Sequence, residues 1–164
     1  MSQQPILILT TGGTIDKAYF DALSEYQIVD SGIPALLKQA RVALTFRVVE
    51  LMRKDSLELS DADRAAIAGA AREAPEACIV VTHGTDTMTE TARVLAAEVP
   101  GKTIVLTGAL TPARFAETDA PFNLGMAFAA AQVAPPGVWI AMSGQVFDAL
   151  KVRKDRAAGK FVAV

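Results

Sequence analysis

Short apolar runs alternate along the chain with longer amphipathic or alanine-rich stretches. Continuous runs of β-branched and aliphatic residues are typical of strands that are buried on both faces of a sheet. Such runs predict strands at Ile6–Leu9, Phe46–Leu51, Cys78–Thr82, Thr103–Thr107 and Val138–Met142. The stretches between them predict helices at Pro34–Ala40, Ser60–Glu73, Met88–Glu98 and Phe122–Gln132.

Several helix boundaries carry local signals of their own. Ser60 is a favourable N-cap, and Asp61 and Asp63 follow in the first turn, where carboxylates suit the positive end of the helix dipole. Pro100-Gly101 ends the third helix and Pro135-Pro136-Gly137 ends the fourth. These breakers support the predicted boundaries.

The regular alternation of strands and helices predicts an α/β fold. We expect a three-layer, doubly wound and mostly parallel sheet with helices on both faces, similar to Rossmann and flavodoxin folds, in a single domain over residues 1–164. The polar segment Lys151–Lys160 predicts a loop before a last short strand at Phe161–Val164. In such folds, the reactive loops follow the carboxyl ends of the strands.

Composition and charge narrow the class of protein. Hydrophobic residues make up 51% of the 164 residues and charged residues 21%, which is typical of a folded domain with a proper core. The formal net charge is −2, and no basic stripe stands out, so a nucleic-acid partner is not expected. No segment has the length and apolarity of a membrane span or a signal sequence, which predicts a cytoplasmic protein with no membrane partner.

The chain has one cysteine, Cys78, and one histidine, His83. A single cysteine excludes an internal disulfide, and its apolar neighbours indicate a buried strand cysteine. One cysteine and one histidine cannot form a zinc site of the usual kind. We therefore expect neither a metal nor another cofactor.

The segment Thr10-Thr11-Gly12-Gly13-Thr14-Ile15 follows the first predicted strand. Two glycines allow a sharp turn and a close approach of the backbone to a ligand, and amides in such a turn can hold an anion. A plain connection between strand and helix is the alternative. A phosphate site is not supported, because no lysine follows in Walker spacing.

A second polar cluster, Thr82-His83-Gly84-Thr85-Asp86-Thr87, follows the third predicted strand. Thr85 or Asp86 alone could cap the next helix. A cap requires one such residue, so the excess of hydroxyl and carboxylate groups favours a site. We interpret His83 as structural, since no Gly-x-Ser-x-Gly elbow accompanies it.

Both segments resemble the signature motifs of the bacterial-type L-asparaginase family. Thr11–Ile15 is similar to the first motif and His83–Thr87 to the second, in the same order. Leu106–Ala109, followed by Asp119–Leu124, is similar to a third recognisable stretch. The resemblance runs from Ile6 to about Lys154 and implies the fold of the N-terminal domain of that family.

The resemblance also implies roles for individual residues. Thr14 matches the family's nucleophile, and Thr85 and Asp86 match the second threonine and its neighbouring aspartate. Lys154 matches the catalytic lysine, which Asp86 orients while Thr85 relays or steadies the proton. Ser56, Thr85 and Asp86 match the substrate-binding residues, with Ser56 on the α-carboxylate. Backbone amides near Thr85 or Gly13 are candidates for the oxyanion site.

The family also uses a tyrosine on the loop that follows the nucleophile. Tyr26 matches that residue better by its distance from Thr14, and Tyr19 lies closer to the glycine turn. The sequence leaves both open.

The implied activity is hydrolysis of L-asparagine to L-aspartate and ammonia. The alternatives are an amidase on another amide, such as glutamine or a peptide-linked amide, and a non-catalytic amino-acid-binding domain. Family members usually carry a smaller C-terminal domain, which these 164 residues do not contain. The high apolar content and the family's two-fold interfaces lead us to expect a homo-oligomer with an even number of subunits.

Overall fold

The computed structural model describes residues 4–164, over which the chain forms strands, four helices and three short 3-10 turns. The strands are β1 Ile6–Gly12, β2 Lys17–Phe20, β3 Glu25–Ile28, β4 Phe46–Lys54, β5 Cys78–Thr82, β6 Thr103–Thr107, β7 Gly137–Met142, β8 Gln145–Asp148, β9 Val152–Asp155 and β10 Lys160–Ala163. The helices are α1 Ile33–Gln39, α2 Asp61–Glu73, α3 Met88–Glu98 and α4 Ala120–Val133. The 3-10 turns are Thr14–Asp16, Asp21–Leu23 and Ser56–Glu58.

A six-stranded sheet in the order β4-β1-β5-β6-β7-β8 forms the middle layer. The first five strands of that order are parallel, and β8 runs antiparallel to β7. The predicted α/β class with a mostly parallel sheet is therefore confirmed. Two hairpins, β2–β3 and β9–β10, lie outside this sheet.

Each face of the sheet buries a separate hydrophobic core. Along β1, Leu7 and Leu9 belong to the core beneath α2 and α3, while Ile6 and Ile8 belong to the core beneath α1 and α4. This alternation follows from the two-residue period of a strand. All four β1 side chains are at most 1% exposed, which explains the continuous apolar run in the sequence.

The connection β6–α4–β7 has the opposite hand from the other three parallel connections. The steps β4 to β5, β5 to β6 and β6 to β7 move in one direction along the sheet. The first two carry their helices, α2 and α3, on one face, but the third carries α4 on the other face. The connection β1–α1–β4 runs in the opposite direction along the sheet and has its helix on the opposite face. It therefore has the same hand as the connections that contain α2 and α3. Right-handed connections are the rule, and the connection β6–α4–β7 departs from it.

The predicted boundaries agree with most of the observed elements. Helix α3 and strands β5 and β6 begin and end at the predicted residues. Ser60 caps α2 in a full capping box, in which its hydroxyl accepts from the Asp63 amide and Asp63 accepts from the Ser60 amide. Cys78 lies on a strand as predicted, but it is only partly buried because it begins β5 at the bottom edge of the sheet.

The predicted loop at Lys151–Lys160 is wrong over its first half. Val152–Asp155 forms strand β9, which pairs antiparallel with β10. The segment appears polar in sequence because only Val152 faces the core, together with Phe161 of β10. The hairpin β2–β3 and the edge strand β8 were also not predicted, since none of them contains a continuous apolar run.

Candidate active site

The two polar segments meet at the carboxyl edge of the sheet. From β1, the chain passes to β4 on one side, and β5 lies on the other side of β1. This arrangement makes the gap between β1 and β5 a topological switch point, where α/β proteins commonly bind ligands. The turns after β1, β4 and β5 supply most of the predicted site residues.

Glycines allow these turns to touch through their backbones. Gly13 has φ +83°, and a Cβ atom added there would overlap the backbone of Gly84. A Cβ atom on Gly84 would in turn lie 2.6 Å from the Cβ of Ser56. The turns that carry Thr14 and Thr85 therefore pack backbone against backbone, and the Ser56 side chain packs directly against Gly84.

The end of β1 is also bonded to the end of β4. The Gly13 amide donates to the Lys54 carbonyl oxygen at 2.9 Å. Gly12 has φ +102°, and a Cβ atom on it would lie 2.6 Å from the Lys54 nitrogen. Because the Gly13 amide is already used, it is not free to hold an oxyanion, which leaves the turn around Thr85 as the better of the two predicted places.

Lys154 forms the centre of the polar cluster. Its ammonium donates to Thr85 Oγ1 at 2.7 Å and to Asp86 Oδ1 at 2.7 Å. The side chain of Lys154 is 16% exposed and Thr85 is 7% exposed, so this contact is largely shielded from water. The hairpin β9–β10 holds Lys154 at this place, 69 residues from Thr85 in sequence.

Thr14 begins the 3-10 turn after Gly13 and is partly exposed. The preceding residue, Gly13, contacts the backbone of Gly84, which precedes Thr85. Within residues 4–164, the Thr14 hydroxyl forms no hydrogen bond to another protein group, and Lys154 donates to Thr85 and Asp86 instead. The structure thus brings Thr14 to the same edge as Thr85, Asp86 and Lys154, with its hydroxyl unengaged.

Ser56 is 1% exposed, and its hydroxyl oxygen is buried without a hydrogen-bond partner in the described part of the chain. The hydroxyl lies below Gly84, at 2.7 Å from the position a Cβ atom would take there. The Ser56 carbonyl accepts a hydrogen bond from Thr87 Oγ1 at 2.7 Å. Ser56 is therefore part of the packed floor of the site.

Asp55 and Lys17 form an ion pair beside Ser56 that the sequence did not indicate. Lys17 Nζ lies 3.0 Å from Asp55 Oδ2. Burial acts to raise the pKa of Asp55, but the Leu57 amide, Lys17 and Lys154 outweigh it and hold the pKa below its usual value. Arg156, which the sequence did not single out either, places Nε at 3.7 Å from Asp86 Oδ1.

Tyr19 and Tyr26 lie directly opposite each other on the hairpin β2–β3, which follows the Thr14 turn. Their ring centroids are 5.1 Å apart, and Tyr26 also contacts Phe115 at 6.0 Å. About half of each tyrosine is exposed. Both tyrosines therefore lie together on this hairpin, and both remain candidates for the family's loop tyrosine.

His83 is fully buried beneath the second polar turn. Its Nδ1 lies 2.6 Å from the Gly84 carbonyl oxygen, which can only accept, so Nδ1 carries the proton. Nε2 then accepts from the Thr91 hydroxyl at 2.7 Å. Burial lowers the pKa of His83 to about 4, which keeps the imidazole neutral and agrees with a structural role.

Other features of the described residues lie outside this cluster. An open groove of about 680 Å³ runs between α1 and the loop before α4, and none of the predicted site residues lines it. Within residues 4–164, no group of three or more histidine, cysteine or acidic side chains is placed to hold a metal ion. None of the helices described is long and apolar enough to cross a membrane.

Comparison with known protein families finds a match over almost the whole chain. Residues 5–160 match the family model of the asparaginase N-terminal domain. The L-asparaginase of Thermococcus kodakarensis is 31% identical over 163 residues, which cover 94% of this chain and 48% of that protein. The glutaminase-asparaginase of Acinetobacter glutaminasificans is 30% identical, over 91% of this chain and 49% of the relative.

Solved structures show the same likeness. The thermostable L-asparaginase from Thermococcus kodakarensis superposes with a TM-score of 0.85 at 27% identity, covering 98% of this chain and 51% of that one. A probable cytoplasmic L-asparaginase from Campylobacter jejuni gives 0.83 at 28% identity, over 98% and 53% of the two chains. This chain thus spans about half the length of the relatives that it matches.

Proposed function

The chain belongs to the asparaginase family, and on that premise we propose that it is an amidohydrolase that converts L-asparagine to L-aspartate and ammonia. One observation carries the proposal most strongly. Lys154 bonds both Thr85 and Asp86 at 2.7 Å, beside the glycine turn that carries Thr14. A shielded lysine, carboxylate and pair of hydroxyls form the kind of group that moves protons during amide cleavage.

In the proposed reaction, Thr14 is the nucleophile. Its hydroxyl oxygen attacks the side-chain amide carbon of the substrate and loses its proton as the new C–O bond forms. The proton passes to the amide nitrogen, the C–N bond breaks, and ammonia leaves. Water then cleaves the acyl-threonine, which releases the acid and restores the Thr14 hydroxyl.

Lys154, Asp86 and Thr85 act together in this scheme. Asp86 holds the Lys154 side chain in place, and Thr85 accepts a hydrogen bond from Lys154 while keeping its own proton to donate. Thr85 can therefore relay a proton between the lysine and a reacting group. Amides of the turn around Thr85 stabilise the negative charge on the carbonyl oxygen.

Ser56 and one of the tyrosines complete the proposed site. The Ser56 hydroxyl has unused hydrogen-bonding capacity, which the substrate's α-carboxylate fills when the Gly84 turn admits it. Tyr19 or Tyr26 contacts the substrate from the hairpin that follows Thr14. Both assignments rest on the family motif.

Ammonia release from a panel of amides tests the proposal. L-Asparagine, L-glutamine and a peptide-linked amide are incubated with the protein, and a Thr14→Ala variant serves as the blank. We expect turnover of an asparagine-type amide and little of glutamine. Release from glutamine at an equal or greater kcat/KM points to the broader activity that the Acinetobacter relative's name describes. Absence of ammonia from every amide contradicts the enzymatic function.

The location of the protein in the cell is a separate question. We propose a cytoplasmic enzyme without cofactor, in line with the solved relative described as a probable cytoplasmic L-asparaginase. A Haemophilus influenzae relative, 32% identical, is described as probably periplasmic. Fractionation of the source cells distinguishes the two compartments.

A further inference from the structure

The 3-10 turn Thr14–Asp16, hereafter the Thr14 turn, is tied at both of its ends to the end of β4. The Gly13 amide, just before the turn, donates to the Lys54 carbonyl oxygen at 2.9 Å. The Lys17 ammonium, just after the turn, donates to Asp55 Oδ2 at 3.0 Å. Lys54 and Asp55 are consecutive residues, so both bonds hold the turn against the same place at the edge of the sheet.

Asp55 also holds the 3-10 turn Ser56–Glu58, hereafter the Ser56 turn. Its other carboxylate oxygen, Oδ1, accepts from the Leu57 amide at 3.1 Å and caps this turn. Its backbone carbonyl oxygen accepts from the Glu58 amide at 2.9 Å. One carboxylate therefore bonds Lys17 with one oxygen and the Ser56 turn with the other, which couples the positions of the two turns.

The proposed reaction requires a fixed spacing between these two turns. Ser56 holds the α-carboxylate of the substrate, and Thr14 attacks the amide carbon of the same molecule. Within residues 4–164, the Thr14 hydroxyl forms no hydrogen bond to another protein group, so the place of its oxygen depends on the backbone of its turn. A displacement of about 1 Å between reacting groups can lower a rate about 10²-fold.

The stability of the fold does not account for this ion pair. The side chains of Lys17 and Asp55 are 25% and 32% exposed, and ion pairs of this exposure contribute little to the free energy of unfolding. Burial acts to raise the pKa of Asp55, but the Leu57 amide, Lys17 and Lys154 hold it below its usual value, so the carboxylate is charged at neutral pH. The effect of the pair is therefore local to the two turns.

We propose that Lys17 and Asp55 are positioning residues, whose ion pair sets the place of the Thr14 turn relative to the Ser56 turn. The inference rests on the proposed amidohydrolase function, to which it adds two residues that act through Thr14 and Ser56.

Lys17→Gln removes the ion pair and keeps a polar side chain at the start of β2. For L-asparagine, we expect kcat per folded protein to fall about tenfold, because Thr14 is displaced from the bound amide. KM should change by less than about threefold, because Ser56 and its cap on Asp55 remain. A rise in KM at unchanged kcat would make Lys17 a ligand of the substrate and overturn the proposal, and so would a kcat within about twofold of the wild type.

Three further variants separate positioning from a general loss of structure. Lys17→Arg restores a cation opposite Asp55 and should recover most of kcat. Asp55→Asn keeps an acceptor for the Leu57 amide but loses the charge, and its combination with Lys17→Gln should lose little more than the worse single variant. Lys151→Gln is the matched control and should keep the wild-type kcat, since Lys151 pairs with Asp148 at the opposite edge of the sheet. Failure of Lys17→Arg to recover kcat, or losses that multiply in the double variant, contradicts the positioning role.

Hydrogen exchange tests the same inference without catalysis. The Gly13 amide donates to Lys54 and the Asp16 amide to Gly13, and both bonds open when the Thr14 turn moves. We expect these two amides to exchange about fivefold faster in Lys17→Gln and at the wild-type rate in Lys17→Arg. If the wild type releases no ammonia from any amide, the proposed function fails, while faster exchange still supports the positioning of the turn. Unchanged exchange in Lys17→Gln overturns the inference, whatever the activity.

Discussion

Within residues 4–164, the Thr14 hydroxyl, like the buried hydroxyl of Ser56, has no hydrogen-bond partner at the site. Thr14→Ala removes the proposed nucleophile but no hydrogen bond recorded among the described residues. We therefore expect kcat to fall by a factor on the order of 10³ or more, with little change in stability. Ammonia release and a thermal melt by circular dichroism measure the two effects.

The matched control for this prediction is Thr14→Ser, which keeps the hydroxyl. It should retain a substantial part of the activity. A Thr14→Ala protein that melts like the wild type and keeps more than a tenth of its activity contradicts the nucleophile assignment.

Lys154 and Asp86 are joined by a short, shielded hydrogen bond, which predicts that they act as a unit. Lys154→Met and Asp86→Asn should each lower kcat strongly, and the double variant should lose little more than the worse single variant. Steady-state kinetics of the wild type, the two single variants and the double variant give the coupling free energy between Lys154 and Asp86. Losses that simply multiply would show that the two residues do not share one proton-transfer chain.

His83 is buried as a neutral imidazole, and this predicts how stability depends on pH. The pKa is about 4 in the folded protein and about 6.5 in the unfolded chain, so only the unfolded chain binds the proton between these values. His83 therefore contributes stability that is complete above pH 6.5 and is lost as the pH falls toward 4, by roughly 3 kcal/mol. Asp16 has the opposite effect on stability. Burial raises the pKa of its carboxyl, so the folded protein binds this proton more readily than the unfolded chain, and the contribution of Asp16 to stability increases as the pH falls.

Since His83 is the only histidine, its imidazole signals can be assigned without ambiguity. NMR should show the tautomer protonated on Nδ1, with no titration above pH 5. Denaturant unfolding at pH 7 and pH 5 measures the accompanying loss of stability. An imidazole that titrates near pH 6.5 in the folded protein is the result that refutes this prediction.

At the scale of single residues, the sequence indicated chemistry that is local in the chain. Thr14, Thr85 and Asp86 stand in compact polar segments at strand ends, where an apolar pattern breaks off. Lys154 lies among several basic residues and is distinguished from them only through the family motif. Arg156 and the Lys17–Asp55 pair depend on contacts between distant segments, which no pattern in the sequence records.

At the scale of elements, the glycine contacts between turns offer a clean comparison. Gly13 and Gly101 have the same φ of +83°, but an added Cβ atom overlaps the Gly84 backbone at Gly13 and meets nothing within 4 Å at Gly101. Gly101→Ala should lower the unfolding free energy by about 1–2 kcal/mol, the cost of a left-handed alanine. Gly13→Ala adds an overlap with the Gly84 backbone and a ψ of −178° that is essentially restricted to glycine at this φ, so it should be destabilised by several kcal/mol more.

Chemical denaturation of both variants, with ammonia release measured on the folded fraction, checks this comparison. Activity should fall in Gly13→Ala and stay near wild type in Gly101→Ala. Equal losses of stability in the two variants would indicate that the turns separate easily and that their contact contributes little.

The elements that were predicted well are those whose apolar pattern or helix cap can be recognised within a short stretch of sequence. Strands β5 and β6 are apolar on both faces, and α2 has its own cap, so short windows of sequence are sufficient to find them. Strand β10 was predicted at Phe161–Val164, but its partner β9 was missed because β9 buries few side chains and depends on the sheet beneath it. The hand of the β6–α4–β7 connection also has no local signal, since it depends on which face α4 covers.

At the scale of the whole molecule, the surface retains several large apolar side chains. The hairpin β2–β3 and the loop before α4 expose a group of them: Tyr19, Phe20, Leu23, Tyr26 and Phe115. Exposed apolar surface of this kind favours association. We predict an assembly with an even number of subunits, and light scattering over a range of concentrations measures it. A constant mass near the 17.3 kDa of one chain, with activity retained, contradicts the prediction.

The unusual hand of the β6–α4–β7 connection leaves room for the hairpin that completes the proposed site. Because α4 covers the α1 face, the opposite face of β7 is left for hairpin β9–β10, whose Val152 and Phe161 pack there. A connection of the usual hand would put α4 on that face and obstruct the approach of Lys154 to Thr85. Lys154 lies on β9, directly opposite Phe161 of β10. On the proposed function, a chain that holds Thr14, Thr85 and Asp86 but lacks the β9–β10 hairpin is therefore expected to be inactive, because it has no Lys154 to bond Thr85 and Asp86.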